Sequence, residues 1–191
     1  MKHLDTSVRT TRAVRQRKAA APVYDWIGAM IVALVVLVLL FVTVLRVVGV
    51  DGDSMVPTLH DGDRLLLSCV DRHYETGDIV VIDRYTREPI IKRVIAVAGD
   101  TVWIDEEQRL FVNGEQRREP YIQGANVPRD LTGRVTVPEG CVFVMGDNRS
   151  ISLDSRSRDV GMVSVKDIVG RAVFRVWPLG SFGPIESGKE N

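Results

Sequence analysis

The chain has 191 residues, with 25 basic and 25 acidic side chains and a formal net charge of zero. That length holds one domain, or one domain plus an anchor. Its two cysteines, Cys69 and Cys141, lie 72 positions apart with no CxxC, which excludes a zinc ribbon or a redox pair; buried apolar thiols are expected, with a single disulfide as the alternative.

The charges are unevenly placed. Residues 1–20 hold six basic residues (Lys2, Arg9, Arg12, Arg15, Arg17, Lys18) and one acidic residue, Asp5, so the tail is +5 and the remainder −5. A basic cluster can bind nucleic acid, but this one abuts an apolar segment, which favours the inner leaflet of a membrane; nucleic acid is not an expected partner. The segment is "WIGAMIVALVVLVLLFVTVL", residues 26–45, without a charge and apolar on every face. About 20 helical residues cross a bilayer core of about 30 Å, so one transmembrane helix is expected over 25–46, with Tyr24 and Trp26 at an interface. "TVLRVVGVDG" offers no small-residue cleavage site, so the span is expected to be retained. The positive-inside rule then keeps residues 1–24 in the cytoplasm and exports the rest.

Beyond the span, helical periodicity gives way to short Val/Ile runs broken by Gly, Asp, Asn and Pro. Candidate strands are 64–70, 78–85, 90–98, 101–105, 109–114, 134–140, 141–147 and 168–177. Residues 101–114 read as a hairpin around "EEQ", with "NG" at 113–114 as a second turn signal. "REPYIQGANVPRDLTG" (118–133) is a long polar excursion, and 186–191 reads as a frayed end. So many short strands predict a mainly β domain, a folded antiparallel or barrel-like sheet.

Three stretches could carry chemistry. "VDGDSMVPTL" (50–59) places Ser54 just after the apolar run. A Ser-His-Asp site would need His60 or His73 beside the serine, and the GxSxG elbow is absent. A neutral amine can replace histidine as the base. The candidate is Lys92 in "PIIKRVIAVAGD", which strand alternation places on one face with Ile90 and Val94. Apolar burial can bring down a lysine pKa of about 10.4 by the roughly 3 units that a base near neutrality requires. The alternative is a lysine snorkelling at a strand edge or paired with Asp83. In the third stretch, "MGDNRSISLDSR" (145–156), Asp147, Arg149, Asp154 and Arg156 form either a buried polar bracket or a solvated loop.

Taken together and in this order, "GDSMVPTL", "IIKRVIAVAGD" and "MGDNRSISLDSR" after one N-terminal span resemble the signature boxes of bacterial type I signal peptidases, over roughly residues 26–178. The resemblance implies that Ser54 is the nucleophile, Lys92 the general base and Ser152 a hydroxyl orienting the lysine, with Asp154 and Arg156 a structural pair. It also implies a β-rich catalytic core, 47–100 and 141–185, carrying an inserted β subdomain near 101–140. The implied activity is removal of signal peptides from exported preproteins at the outer membrane surface, after a small residue such as Ala with another small residue two positions earlier. The implied partners are those preproteins and the lipid bilayer, with the secretion channel as a further candidate. No metal or organic cofactor is needed for such a dyad. Met55, Ile90 and Ile91, flanking the dyad, are the expected pocket lining. Many family members carry a serine where this chain has Gly52, so the oxyanion donors expected here are the Ser54 N–H and, as one option, the Gly52 backbone. Gly52→Ser is expected to be neutral or mildly activating unless a positive φ requires glycine there. Two other readings share the residues: a self-cleaving Ser/Lys protein akin to SOS-type repressors, and a membrane-anchored β domain with an inert Ser54 and Lys92.

Overall fold

The structure, a computed structural model, describes residues 24–39, 44–83 and 88–188, which fall in two compact units, 1–43 and 44–191. In the first, residues 24–39 are helical. Sixteen residues rise about 24 Å, and no helix of the described residues is long and apolar enough to cross a membrane. The expected span over 25–46 is therefore described only in part. Residues 40–43, like the basic tail to residue 23, lie outside the described residues. Its far end is corrected: Leu45 and Arg46 are extended and begin a strand. Leu45–Gly49 pairs in register with the next strand, Leu45 opposite Ser68 and Gly49 opposite Arg64, so tertiary pairing overrides the apolar run here.

The second unit is built of twelve strands among the described residues. These are β1 (Leu45–Gly49), β2 (Arg64–Ser68), β3 (Ile79–Ile82), β4 (Ile90–Val97), β5 (Thr101–Ile104), β6 (Leu110–Val112), β7 (Glu115–Gln116), β8 (Val135–Thr136), β9 (Cys141–Met145), β10 (Val163–Ser164), β11 (Ile168–Trp177) and β12 (Gly183–Pro184). β1, β7, β10 and β12 are not among the sequence-expected strands; three of them have only two residues, too few to show a period. All pairings between these strands are antiparallel. The larger sheet has the order β1-β2-β11-β3-β4-β9-β10, with β12 on β11, and the smaller the order β7-β6-β5-β8. Asn113 and Gly114 form the two-residue turn between β6 and β7.

Alternation sorts the apolar side chains onto the two faces of the larger sheet. One face buries Leu65, Leu67, Ile79, Val81 and Ile91 together with Met55 and Leu59. The other buries Val80, Ile82, Val94, Val144 and Ile168. A third cluster joins Ile95, Phe143 and Met145 of the larger sheet to Val102, Leu110 and Val112 of the smaller. Full burial of each such side chain stabilises by about 1.5–3 kcal/mol, so the central strands make a firm platform for any group they carry.

Candidate active site

Ser54 sits in the loop after β1. Backbone bonds close that loop, Val50 N–H to Asp63 O at 2.8 Å and Gly62 N–H to Val50 O at 3.0 Å. Met55 and Leu59 are 1% and 0% exposed in the core beneath it, which leaves Ser54 half-buried at the rim. The Ser54 carbonyl accepts the Asn148 N–H at 3.0 Å, which ties the loop to the segment after β9.

Lys92 is in the first half of β4, directly across from Val80. Its strand neighbours on the same face, Ile90 and Val94, pack with Val80 and Ile82, so its stem runs over an apolar surface, and the side chain is only 3% exposed. Nζ donates to Ser54 Oγ at 2.8 Å and to the Ile91 carbonyl at 3.0 Å. Asp83, the alternative partner, is exposed, and the Lys92 head group is committed to Ser54. Burial lowers the Lys92 pKa from 10.5 to about 8; the carboxylates of Asp154 and Asp147 oppose that fall, and Arg156 adds to it.

The segment after β9 frames the pair. Asp154 is fully buried and forked by Arg156, Nε to Oδ1 at 2.8 Å and the NH2 nitrogen to Oδ2 at 2.9 Å. Burial alone would raise the Asp154 pKa, but the hydrogen bonds and charge of Arg156 outweigh it and hold the carboxyl below its usual range. Asp154 Oδ2 also accepts the Gly146 N–H at 3.1 Å. Ser152 is buried. Its hydroxyl lies near enough to Asp154 to help lower that pKa, yet it makes no hydrogen bond of normal geometry. A Cβ on Gly146 would stand 2.3 Å from Ser152 Oγ and 2.5 Å from the Ser54 carbonyl oxygen. Gly146 thus leaves free the space between Ser152 and the Ser54 backbone that a side chain would fill.

Asp147 takes a fork from Arg93, Nε to Oδ1 at 2.8 Å and NH2 to Oδ2 at 2.7 Å, and accepts the Thr58 hydroxyl. Arg93 also donates to the Gly77 carbonyl at 2.9 Å and lies over the Tyr121 ring at 4.1 Å. The third stretch is thus a buried bracket rather than a solvated loop, but Asp147 and Arg149 reach partners elsewhere: Arg93, and Glu119. Sequence reasoning missed Arg93, Thr58 and Glu119. One signal was present, since an arginine beside Lys92 in an apolar strand must be paired when buried.

The expected pocket residues do not converge. Met55 and Ile91 belong to one core face, whereas the half-buried Ile90 packs on the other with the Lys92 stem. Met55, at 1% exposure, is a core side chain in this structure rather than an open pocket wall. Gly52 has φ +80° and donates its N–H to Asp61 Oδ1 at 2.9 Å, so that donor is engaged in the turn, and a side chain there would be strained. Cys69 and Cys141 are free thiols, both half-buried. A cavity of 1150 Å³ lined by Thr58, Arg93, Glu119 and Tyr121 includes neither Ser54 nor Lys92.

The family model described as signal peptidase, peptidase S26, matches residues 23–177. A signal peptidase I of Bacillus licheniformis is 37% identical over 169 residues, covering 82% of this chain and 89% of that protein. Signal peptidase I S of Bacillus subtilis is 36% identical over 170 residues, covering 82% and 90%. Signal peptidase IB of Staphylococcus aureus is 32% identical over 179 residues, covering 84% and 92%.

Proposed function

The chain belongs to the signal peptidase family, peptidase S26, and on that premise we propose that it removes signal peptides from exported preproteins with Ser54 as nucleophile and Lys92 as general base. The observation that carries this reading is the 2.8 Å contact between Nζ and Oγ, made by a buried lysine whose pKa has fallen to about 8. A deprotonated amine has two N–H bonds and one lone pair. One N–H stays on the Ile91 carbonyl, which aims the lone pair at the Ser54 hydroxyl.

Ser54 Oγ attacks the scissile carbonyl as its proton passes to Lys92, and the Ser54 N–H faces the developing oxyanion. Collapse of the tetrahedral intermediate expels the amine of the mature protein, which takes the proton from the Lys92 ammonium. The remaining acyl-Ser54 ester is hydrolysed by a water that Lys92 deprotonates, and Ser54 is restored. The substrate lies extended, reading small side chains two positions apart. Asp154 and Arg156 hold the loop that carries Ser152.

The enzyme is a membrane-anchored one in this reading, held in the plasma membrane by the apolar segment that begins at Trp26 and ends before β1, with the catalytic unit outside. The apolar run, its helical portion at 24–39 and the +5 tail support this. The division into a core of 47–100 and 141–185 and an insert of 101–140 is supported by the smaller sheet, all of whose strands lie between Thr101 and Thr136. The purified protein should hydrolyse a synthetic signal peptide, and Ser54→Ala should not. Equal activity in that variant would end the reading. Protease added to intact spheroplasts should degrade the large unit and spare the tail.

A further inference from the structure

We propose that Glu119, which lies outside the three signature stretches, is a positioning residue for the Ser54–Lys92 site, acting through Arg149 on Gly146. The proposal rests on the Ser/Lys reading above.

Glu119 follows β7 in the polar excursion, and it is buried with Arg149, the two side chains 3% and 0% exposed. Arg149 forks onto it, NH1 to Oε2 at 2.8 Å and NH2 to Oε1 at 2.6 Å. Tyr121 Oη and Asn126 Nδ2 donate to the remaining sites at 3.3 and 3.2 Å, and Arg149 NH1 also donates to Asn126 Oδ1. Four donors saturate the carboxylate, so its position leaves the guanidinium little freedom.

The third edge of that guanidinium carries the consequence. Arg149 Nε donates to the Gly146 carbonyl at 2.9 Å, while Asp154 holds the Gly146 N–H. Gly146 is pinned on both sides by side chains that are themselves forked by a buried partner of opposite charge. On its side-chain face it has no room, because a Cβ there would stand 2.3 Å from Ser152 Oγ and 2.5 Å from the Ser54 carbonyl oxygen. A displacement of Gly146 toward that face must therefore move Ser152 or the Ser54 backbone. The same excursion grips the loop through its backbone, Gln123 N–H to Asp147 O and Arg149 N–H to Gln123 O, each 2.8 Å. The polar excursion, which carries no reacting group, thus determines where the reacting loop stands.

Glu119→Gln tests this in the full chain, assayed in detergent micelles with a fluorogenic signal peptide. It keeps the volume but turns an amide against guanidinium donors. We expect kcat to fall about 10- to 100-fold with KM within about threefold of wild type. Amide exchange over 146–152 should quicken about tenfold or more while β4 and β11 keep their protection. Glu119→Asp retains the charge, and should fold and show a smaller loss if the glutamine variant does not fold. Unchanged kcat with unchanged loop exchange overturns the inference, as does an acceleration spread equally over β4 and β11, which would mark a purely stabilising ion pair. A wild-type protein that hydrolyses nothing would remove the Ser/Lys reading instead, and loop exchange would still report on the clasp.

Discussion

Lys92 Nζ and Ser54 Oγ stand 2.8 Å apart although 38 residues separate them in sequence. With the lysine pKa near 8, only about a tenth of the enzyme holds a neutral base at pH 7. kcat/KM should therefore rise about tenfold from pH 6 to 7 and level off above about pH 8. Lys92→Arg should lose activity throughout, because a guanidinium keeps its proton. A Lys92→Arg variant of near-normal activity would remove the lysine from its role.

The same burial makes Lys92 a cost to stability. Its folded pKa, about 8, lies below the unfolded value near 10.5, so between those values the unfolded chain binds more protons and stability rises with pH. Below about pH 8 the full penalty, about 3 kcal/mol, is present. Lys92→Met should accordingly raise Tm at pH 7 while abolishing turnover, and its advantage over wild type should shrink between pH 8 and 10. Thermal melts of both proteins over that range give the answer directly, and a pH-independent difference would count against it.

At Gly52 the backbone decides against a hydroxyl. The space beside it is open, but φ is +80°, a conformation costing a side-chain-bearing residue about 1–2 kcal/mol. Gly52→Ser should lower the urea midpoint and give no gain in kcat. A faster variant would show that the turn can relax and that a second oxyanion donor was wanting.

Gly146→Ala should be far more severe. Its methyl would meet the Ser54 carbonyl, which is backbone and cannot rotate away, and a shift of about 1 Å at the nucleophile can cost about 10²-fold in rate. Steady-state kinetics at a temperature where the variant keeps its far-UV circular dichroism would test this. Activity within about threefold of wild type would mean the loop absorbs the methyl.

Much of this protein is determined by the sequence alone. The Val/Ile-rich runs of 79–82, 90–97 and 168–177 encode strands, and the two-residue period of a strand places Lys92 on the face of Ile90 and Val94. The three stretches offer Ser54 and Lys92 as candidate reacting groups, and their order along the chain carries the family resemblance. Leu45 was misassigned for the converse reason: an apolar residue suits a membrane helix and a strand equally, and only pairing with β2 separates them. What the tertiary structure alone decided is which buried charges meet. Lys92 faces Ser54 and not Asp83, Arg93 takes Asp147 from 54 residues away, and Arg149 takes Glu119 from 30 away. A buried charge must pair with whatever the strand order brings within hydrogen-bond reach. That order, β1-β2-β11-β3-β4-β9-β10, is a property of the whole chain that no local stretch encodes.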